Sequence, residues 1–341
     1  METNPKTIDR AGLADRKALG INRISLGVQS FQDPFLKRLG RIHSGKEARR
    51  TLEAAQSLGF DKISLDLMFA LPGQTFADWQ QDVEASLAFG MDHLSCYNLT
   101  IEPNTPFSKT YGNGSVGAGS PRPGAATAPL PSDDVSLKQF LWTRERLGAA
   151  GLDGYEISNF ARPGHESVHN LNYWRYGDYL GFGVSASSFE QLVNRTAPGP
   201  VASQLPGCVW NTDGPDSART TRCLFARRQT NVRDLKRYLN GSDAPAIDPI
   251  DRRTAMGEFV MLALRTKDGV SEARFGEIFG EEFTDVFGDA LEHVGAGSPR
   301  PQSMPRRGAV TAPLLVEKDH HWHLTNEGLR MADSVILEFI S

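Results

Sequence analysis

Ile24-Ser25-Leu26-Gly27-Val28-Gln29 closes an apolar run that starts at Ile21, and it sets Ser25, Gly27 and Gln29 against Ile24, Leu26 and Val28. Alternate residues of a strand point to opposite faces, so this run predicts one polar and one apolar face. Ile63-Ser64-Leu65-Asp66-Leu67-Met68 repeats the pattern with Ser64, Asp66 and Met68 on the second face. A parallel sheet covered on both sides reads as continuous apolar runs. Polar atoms on one face, near strand ends, suit instead a barrel whose mouth holds a ligand. Between and after these strands, residues 44–58 carry Ala48, Leu52, Ala55 and Leu58 at helical spacing. A strand at 62–71, a helix at 76–89 and a strand at 93–100 follow. Strand-helix alternation of this kind predicts parallel strands with crossover helices, a partial (β/α) barrel over residues 1–111.

Two segments interrupt that order. Val116-Gly117-Ala118-Gly119-Ser120-Pro121-Arg122-Pro123 returns as Val294-Gly295-Ala296-Gly297-Ser298-Pro299-Arg300-Pro301, and each copy runs into a Gly-Ala-x-Thr-Ala-Pro-Leu stretch. Such composition buries too little apolar surface to order itself, so residues 112–131 and 294–314 are predicted to be disordered insertions. A further polar stretch at 195–222 reads as a loop. The remaining 132–194 forms the end of the barrel and an aromatic motif, and 223–341 a small C-terminal domain. In that domain helices at 231–239, 251–265, 271–279 and 283–293 precede a strand at 321–324 and a helix at 326–339, a winged-helix-like order. No basic recognition helix accompanies it, which argues against nucleic acid as a partner.

Composition sets the outer bounds. The chain has 341 residues, 39% hydrophobic and 23% charged, with a formal net charge of -4. These values predict a soluble protein with no attraction to nucleic acid or anionic membranes. No apolar run reaches the roughly 20 residues of a membrane span, so contact with a membrane is at most peripheral. The polar start lacks a signal-peptide core, which makes the cytoplasm the expected compartment. The 3 cysteines, Cys96, Cys208 and Cys223, are scattered and form neither a disulfide framework nor a close metal-ligand spacing.

His169-Asn170-Leu171-Asn172-Tyr173-Trp174 follows closely on Tyr155-Glu156-Ile157-Ser158-Asn159-Phe160 and precedes Tyr179-Leu180-Gly181-Phe182-Gly183. One imidazole among large aromatic faces suits a flat, apolar, metal-bearing ligand. The plainer reading is a core histidine satisfied by nearby backbone, with Tyr173 and Trp174 simply packing.

Taken together these stretches resemble the oxygen-independent coproporphyrinogen III oxidase-like radical SAM family, and within it the heme chaperones. The resemblance is carried by residues 24–31, by Leu39-Gly40-Arg41-Ile42-His43, and by Leu65-Asp66-Leu67-Met68-Phe69-Ala70-Leu71-Pro72-Gly73-Gln74-Thr75. Tyr97-Asn98-Leu99-Thr100-Ile101-Glu102-Pro103, the two motifs at 155–160 and 169–174, and Leu324-Thr325-Asn326-Glu327-Gly328 complete it. It implies a radical SAM-type barrel with S-adenosylmethionine lying across the strand ends. By motif position Glu2, Gln29, Arg41, Asp66 and Leu99 are the implied contacts. Glu2, Gln29 and Asp66 offer acceptors to the ribose hydroxyls and the amino group. Arg41 can clamp the carboxylate bidentately, and Leu99 lines the adenine. Asp66 as a structural carboxylate and Arg41 as a surface ion-pair partner stay open as alternatives. The resemblance also implies heme at the second motif, with His169 on the iron, Tyr173 and Trp174 flanking the ring, and Asn170 and Asn172 bracing the loop.

The chain departs from the family in two places. Members carry a Cys-x3-Cys-x2-Cys loop for a [4Fe-4S] cluster near the N-terminus, and here the sequence starts at what resembles the end of the third barrel strand. On that reading the chain is an N-terminally truncated member, unable as given to generate the radical. Many relatives also have glycine and histidine where Ser185 and Ser187 stand. Three functions result: a chaperone passing heme to client proteins, a coproporphyrinogen III dehydrogenase, or a degenerate product without ligand. Residues 169–174 favour the first.

Overall fold

The computed structural model describes residues 1–111, 128–192, 208–209, 222–241, 243–295 and 313–340. Nearly all of both repeat insertions and most of the 195–222 stretch lie outside them. The chain divides into two compact units, Met1–Glu166 and Ser167–Ser341. The aromatic motif at 169–174 therefore belongs with the C-terminal unit rather than with the end of the barrel.

The first unit opens with β1 (Glu2–Thr3), α1 (Arg10–Ala18), β2 (Arg23–Gln29), α2 (Asp33–Arg38) and α3 (Gly45–Ser57). It continues through β3 (Lys62–Phe69), α4 (Phe76–Ala88), β4 (His93–Asn98), α5 (Pro106–Tyr111), α6 (Asp133–Ala149), β5 (Asp153–Gly154) and β6 (Asn159–Ala161). The strands form one sheet in the order β1-β2-β3-β4-β6-β5. β1 to β4 are mutually parallel, as the strand-helix alternation predicts, whereas β6 runs antiparallel to β4. Helix starts follow from local chemistry. The Ser44 hydroxyl accepts from the Glu47 N–H while the Glu47 carboxylate accepts from the Ser44 N–H, and Thr75 with Asp78 repeats this box. Buried Asp82 of α4 accepts from the Ser30 hydroxyl at 2.7 Å and the Phe31 N–H at 2.8 Å, which ties the turn after β2 to α4. Ile24, Leu26, Leu65, Leu52 and Trp79 pack in the core between sheet and helices. The polar face of β2 and β3 is left to the inside of a partial (β/α) barrel.

The second unit contains α7 (Val168–Trp174), β7 (Ser187–Gln191), β8 (Cys208–Val209), β9 (Arg222–Thr230), α8 (Leu235–Asn240), β10 (Ala246–Asp251) and α9 (Arg252–Ala263). It closes with β11 (Val270–Ser271), α10 (Glu272–Phe279), α11 (Phe283–His293), β12 (Leu315–Lys318), β13 (His321–Leu324), α12 (Asn326–Arg330) and α13 (Ala332–Ile340). An antiparallel β10-β9-β7 sheet and a smaller β11-β13-β12 sheet result. The smaller sheet with its helices is the expected winged-helix-like module. Its β12–β13 hairpin turns through Asp319 and His320, both left-handed (φ 53° and 60°), a two-residue turn that matches strand twist. Phe225, Phe259, Phe275, Phe279, Phe283 and Phe339 belong to one core shared by both sheets of this unit.

Several local expectations need correction. The stretch read as a loop carries β8, whose Cys208 lies opposite Cys223 of β9. β9 and β10 themselves were not foreseen, and the helix expected at 231–239 is confined to Leu235–Asn240 because Asp234 caps it. The closing helix is two pieces, interrupted at Met331 (φ -115°).

Candidate functional site

Strand register stacks the inward residues of the first unit into layers. Ser25, Ser64 and His93 are successive partners across β2, β3 and β4. One layer nearer the strand ends, Gly27, Asp66, Ser95 and Asn159 are partners across β2, β3, β4 and β6. Such layering is how a (β/α) barrel fills its interior.

Four of the five residues implied for S-adenosylmethionine gather around the second layer. Asp66 accepts from the Ser25 hydroxyl at 3.1 Å. Burial pushes its carboxyl above the usual range, against hydrogen bonds from Ser95 and Ser25; the Glu2 charge adds to the rise and Arg41 opposes it. Arg41 donates to the Asn4 side-chain oxygen at 3.1 Å. Gly27 leaves the space that Asn4 and Gln29 occupy: a methyl there would sit 2.6 Å from the Asn4 oxygen and 3.0 Å from the Gln29 amide nitrogen. Gln29 itself is buried and left-handed (φ 68°), at a register shift in β2 that re-aims its side chain. Leu99 stands apart, packed with Phe35 and Leu71 in a small apolar cluster. Sequence reasoning passed over Asn4, Ser95 and Asn159 individually. Ser95 and Asn159 become legible only when register aligns them with Asp66.

Below this layer lies a hydrogen-bonded set that no motif announced. His93 Nδ1 is 2.7 Å from the Ser64 hydroxyl, and its Nε2 is 2.8 Å from the Tyr155 hydroxyl. Burial, and then the Arg23 charge, push the imidazole down to about 3, so it stays neutral.

In the second unit the motif 169–174 forms α7, capped by Ser167, and none of its seven residues is buried. His169 Nε2 is 2.9 Å from the Tyr173 hydroxyl one turn away. Tyr173 meets Tyr179 edge-on with ring centroids 4.5 Å apart. Asn172 donates to the Asp178 carbonyl at 2.9 Å, the bracing role expected of it. Tyr173 lines a cavity of about 450 Å³ with Tyr179, Phe189, Arg228 and Glu258. Trp174 lines a different cavity of about 900 Å³ with Leu171, Phe259 and Arg274. The two rings thus face different spaces, because adjacent positions of a helix are turned about 100° from each other. They do not bracket one volume.

S-adenosylmethionine fits the residues present in the first unit. Gly27 lets the Asn4 and Gln29 side chains close in beside Asp66, and the half-buried carboxyl of Asp66 and the Arg41 guanidinium supply an acceptor and a cation. Bound there, it would bring a reactive sulfonium. The described residues do not fit an iron-sulfur cluster. No group of three or more His, Cys, Asp or Glu among them is arranged to hold a metal, and the Cys96 thiol is enclosed, with burial pushing it up. Among the described residues no helix is long and apolar enough to cross a membrane.

Comparison with known proteins agrees with this anatomy. Residues 1–85 match the radical SAM superfamily model and residues 250–331 the HemN C-terminal domain model. The chain is 35% identical to the heme chaperone HemW of Buchnera aphidicola, over 100% of its own length and 74% of that protein. With Bacillus subtilis HemW it shares 30% identity over 86% of this chain and 67% of the other. With Escherichia coli HemW it shares 42% identity over 54% of this chain and 45% of the other. The chain thus spans about half to three quarters of these relatives. E. coli coproporphyrinogen III oxidase superposes with a TM-score of 0.67 at 19% identity, covering 100% of this chain and 69% of that enzyme, a likeness of fold. Identity of 30–35% with HemW proteins over most or all of this chain, joined to matches to the radical SAM and HemN C-terminal models in that order, means that this chain belongs to the HemW heme-chaperone family of radical SAM proteins.

Proposed function

We propose that the chain binds heme at α7 and delivers it to client proteins, with the partial barrel holding S-adenosylmethionine. The observation that carries the reading is the exposed His169–Tyr173 pair. An imidazole on a helix with no buried residue can be reached by a bulky porphyrin and released again, which a carrier needs. Its Nε2 already has an oriented partner in the Tyr173 hydroxyl. With Nε2–H donating to the Tyr173 oxygen, the lone pair is left on Nδ1 and the bond raises its basicity, as is usual for iron-ligating histidines. Tyr173 offers its aromatic face to the macrocycle beside His169, whereas Trp174 is turned to the larger cavity on the other side of the helix. In the barrel, Glu2, Gln29 and Asp66 would accept from the ribose hydroxyls and the amino group of S-adenosylmethionine. Arg41 would hold the carboxylate, and Leu99 would lie against the adenine.

The test is a hemin titration of the full chain followed by its Soret band. His169→Ala is expected to weaken uptake on the order of tenfold or more. A titration unchanged in that variant would remove His169 from the site. Hemin-loaded chain mixed with an apo-heme protein is expected to pass the cofactor on, seen as the recipient's own absorption spectrum.

A further inference from the structure

The 900 Å³ cavity of the second unit has a wall that the HemW reading does not use. His321 and His323 alternate with Trp322 on β13, so Trp322 enters the core while both imidazoles face the cavity. His321 Nδ1 is 2.9 Å from the Asp319 carbonyl, and His323 Nδ1 is 3.1 Å from the Lys267 carbonyl. A carbonyl only accepts, so in both rings Nδ1 carries the hydrogen and Nε2 carries the lone pair. The rings stack with centroids 6.1 Å apart and planes 24° apart. Two imidazoles held by backbone through one nitrogen, with the other left as a lone pair, form the arrangement found behind metal-ligating histidines.

The rest of the lining decides what metal species suits them. Arg175, Lys267, Arg274 and Lys318 stand against Asp268, Glu317 and Asp319, one positive charge in excess. Arg175 is 3.3 Å from Asp268, and Arg274 donates to the Arg175 carbonyl at 2.7 Å. Leu171, Trp174 and Phe259 supply an apolar floor. A bare cation meets net like charge here. A simple anion leaves the imidazoles unused. A flat metal-bearing macrocycle with carboxylate arms uses lone pairs, guanidinium groups and apolar floor together, and the volume lies in the range of small-molecule sites. We propose that this cavity is a second station for a carboxylated metallo-tetrapyrrole. Its carboxylates meet Arg175 and Arg274, and its metal is taken by Nε2 of His321 or His323. The inference rests on the reading of the chain as a heme carrier, and it adds a site separate from His169.

The experiment titrates hemin and, separately, iron-free protoporphyrin IX into the full chain, with circular dichroism confirming that each variant folds. Variants are His169→Ala, the pair His321→Gln with His323→Gln, all three together, and Arg175→Gln with Arg274→Gln. His169→Ala is expected to keep a residual Soret shift that the triple variant loses. Iron-free porphyrin, read by tryptophan quenching, is expected to bind the wing-histidine variant like wild type and the arginine variant about tenfold more weakly. A triple variant that titrates like His169→Ala alone overturns the proposal, as does porphyrin binding indifferent to the arginines. If His169→Ala matches wild type while the wing-histidine variant loses uptake, the role given to His169 fails and the cavity stands.

Discussion

Asp66 is half-buried and His93 buried, and the two ionisable groups point in opposite directions with pH. The carboxyl of Asp66 is raised, so its contribution to stability is present at low pH and is lost as pH rises through the folded value. Asp66→Asn removes that penalty. It is expected to raise the thermal midpoint of the ligand-free chain at pH 7.5 while weakening S-adenosylmethionine in calorimetric titration, a separation typical of a binding carboxylate held in an unfavourable site. A lower midpoint together with unchanged binding would make Asp66 a structural residue. The imidazole of His93 is depressed to about 3, so the unfolded chain takes up a proton that the folded chain refuses once pH drops below about 6.5. Stability is then lost by roughly 1.4 kcal/mol per pH unit from this residue between those limits. Denaturant unfolding of His93→Gln from about pH 6 to 4 is expected to show a slope shallower by roughly that amount. The motif Leu65-Asp66-Leu67 made Asp66 readable in the sequence. His93 gave no sign, since its partners Ser64 and Tyr155 come from distant segments and meet it only in the fold.

At the level of elements, close backbone approach matters more than propensity. Gly45 opens α3, and a methyl on it would lie 2.0 Å from the Phe31 carbonyl oxygen. Gly45→Ala is expected to cost about 1–3 kcal/mol in denaturant unfolding, because the turn after β2 must move away from α3. In the first unit β2, β3, β4, α3 and α4 were legible because their alternation and helical spacing are clean, whereas α2, of six residues, is too short to show a period. β9 escaped because its pattern is ionic rather than apolar. Arg227 pairs with Glu190, and Arg228 pairs with Asp248 and Glu258, so charged residues occupy places where alternation would call for valine or isoleucine. β10 escaped because most of it is exposed and Pro249 lies within it. The split between Tyr173 and Trp174 was equally invisible, since neighbours in sequence read as one cluster until a helix turns them apart.

For the molecule as a whole, each unit has its own core. The first is mainly aliphatic with Trp79, and the second is dominated by phenylalanine rings. Differential scanning calorimetry is expected to resolve two transitions. Phe283→Ala, which empties a fully buried site, is expected to lower the transition of Ser167–Ser341 by the equivalent of about 3–5 kcal/mol. S-adenosylmethionine is expected to raise the other one. A single peak moved by both would show one cooperative body instead.

The left-handed bend at Gln29 has an evolutionary corollary. Threonine, valine and isoleucine resist that dihedral whatever their chemistry, while glycine, asparagine and aspartate enter it readily. The repertoire open to drift at this site is therefore narrowed by the backbone alone, before any ligand is considered. Descendants that replace Gln29 should be found with glycine, asparagine or aspartate there, whether or not they hold a nucleoside.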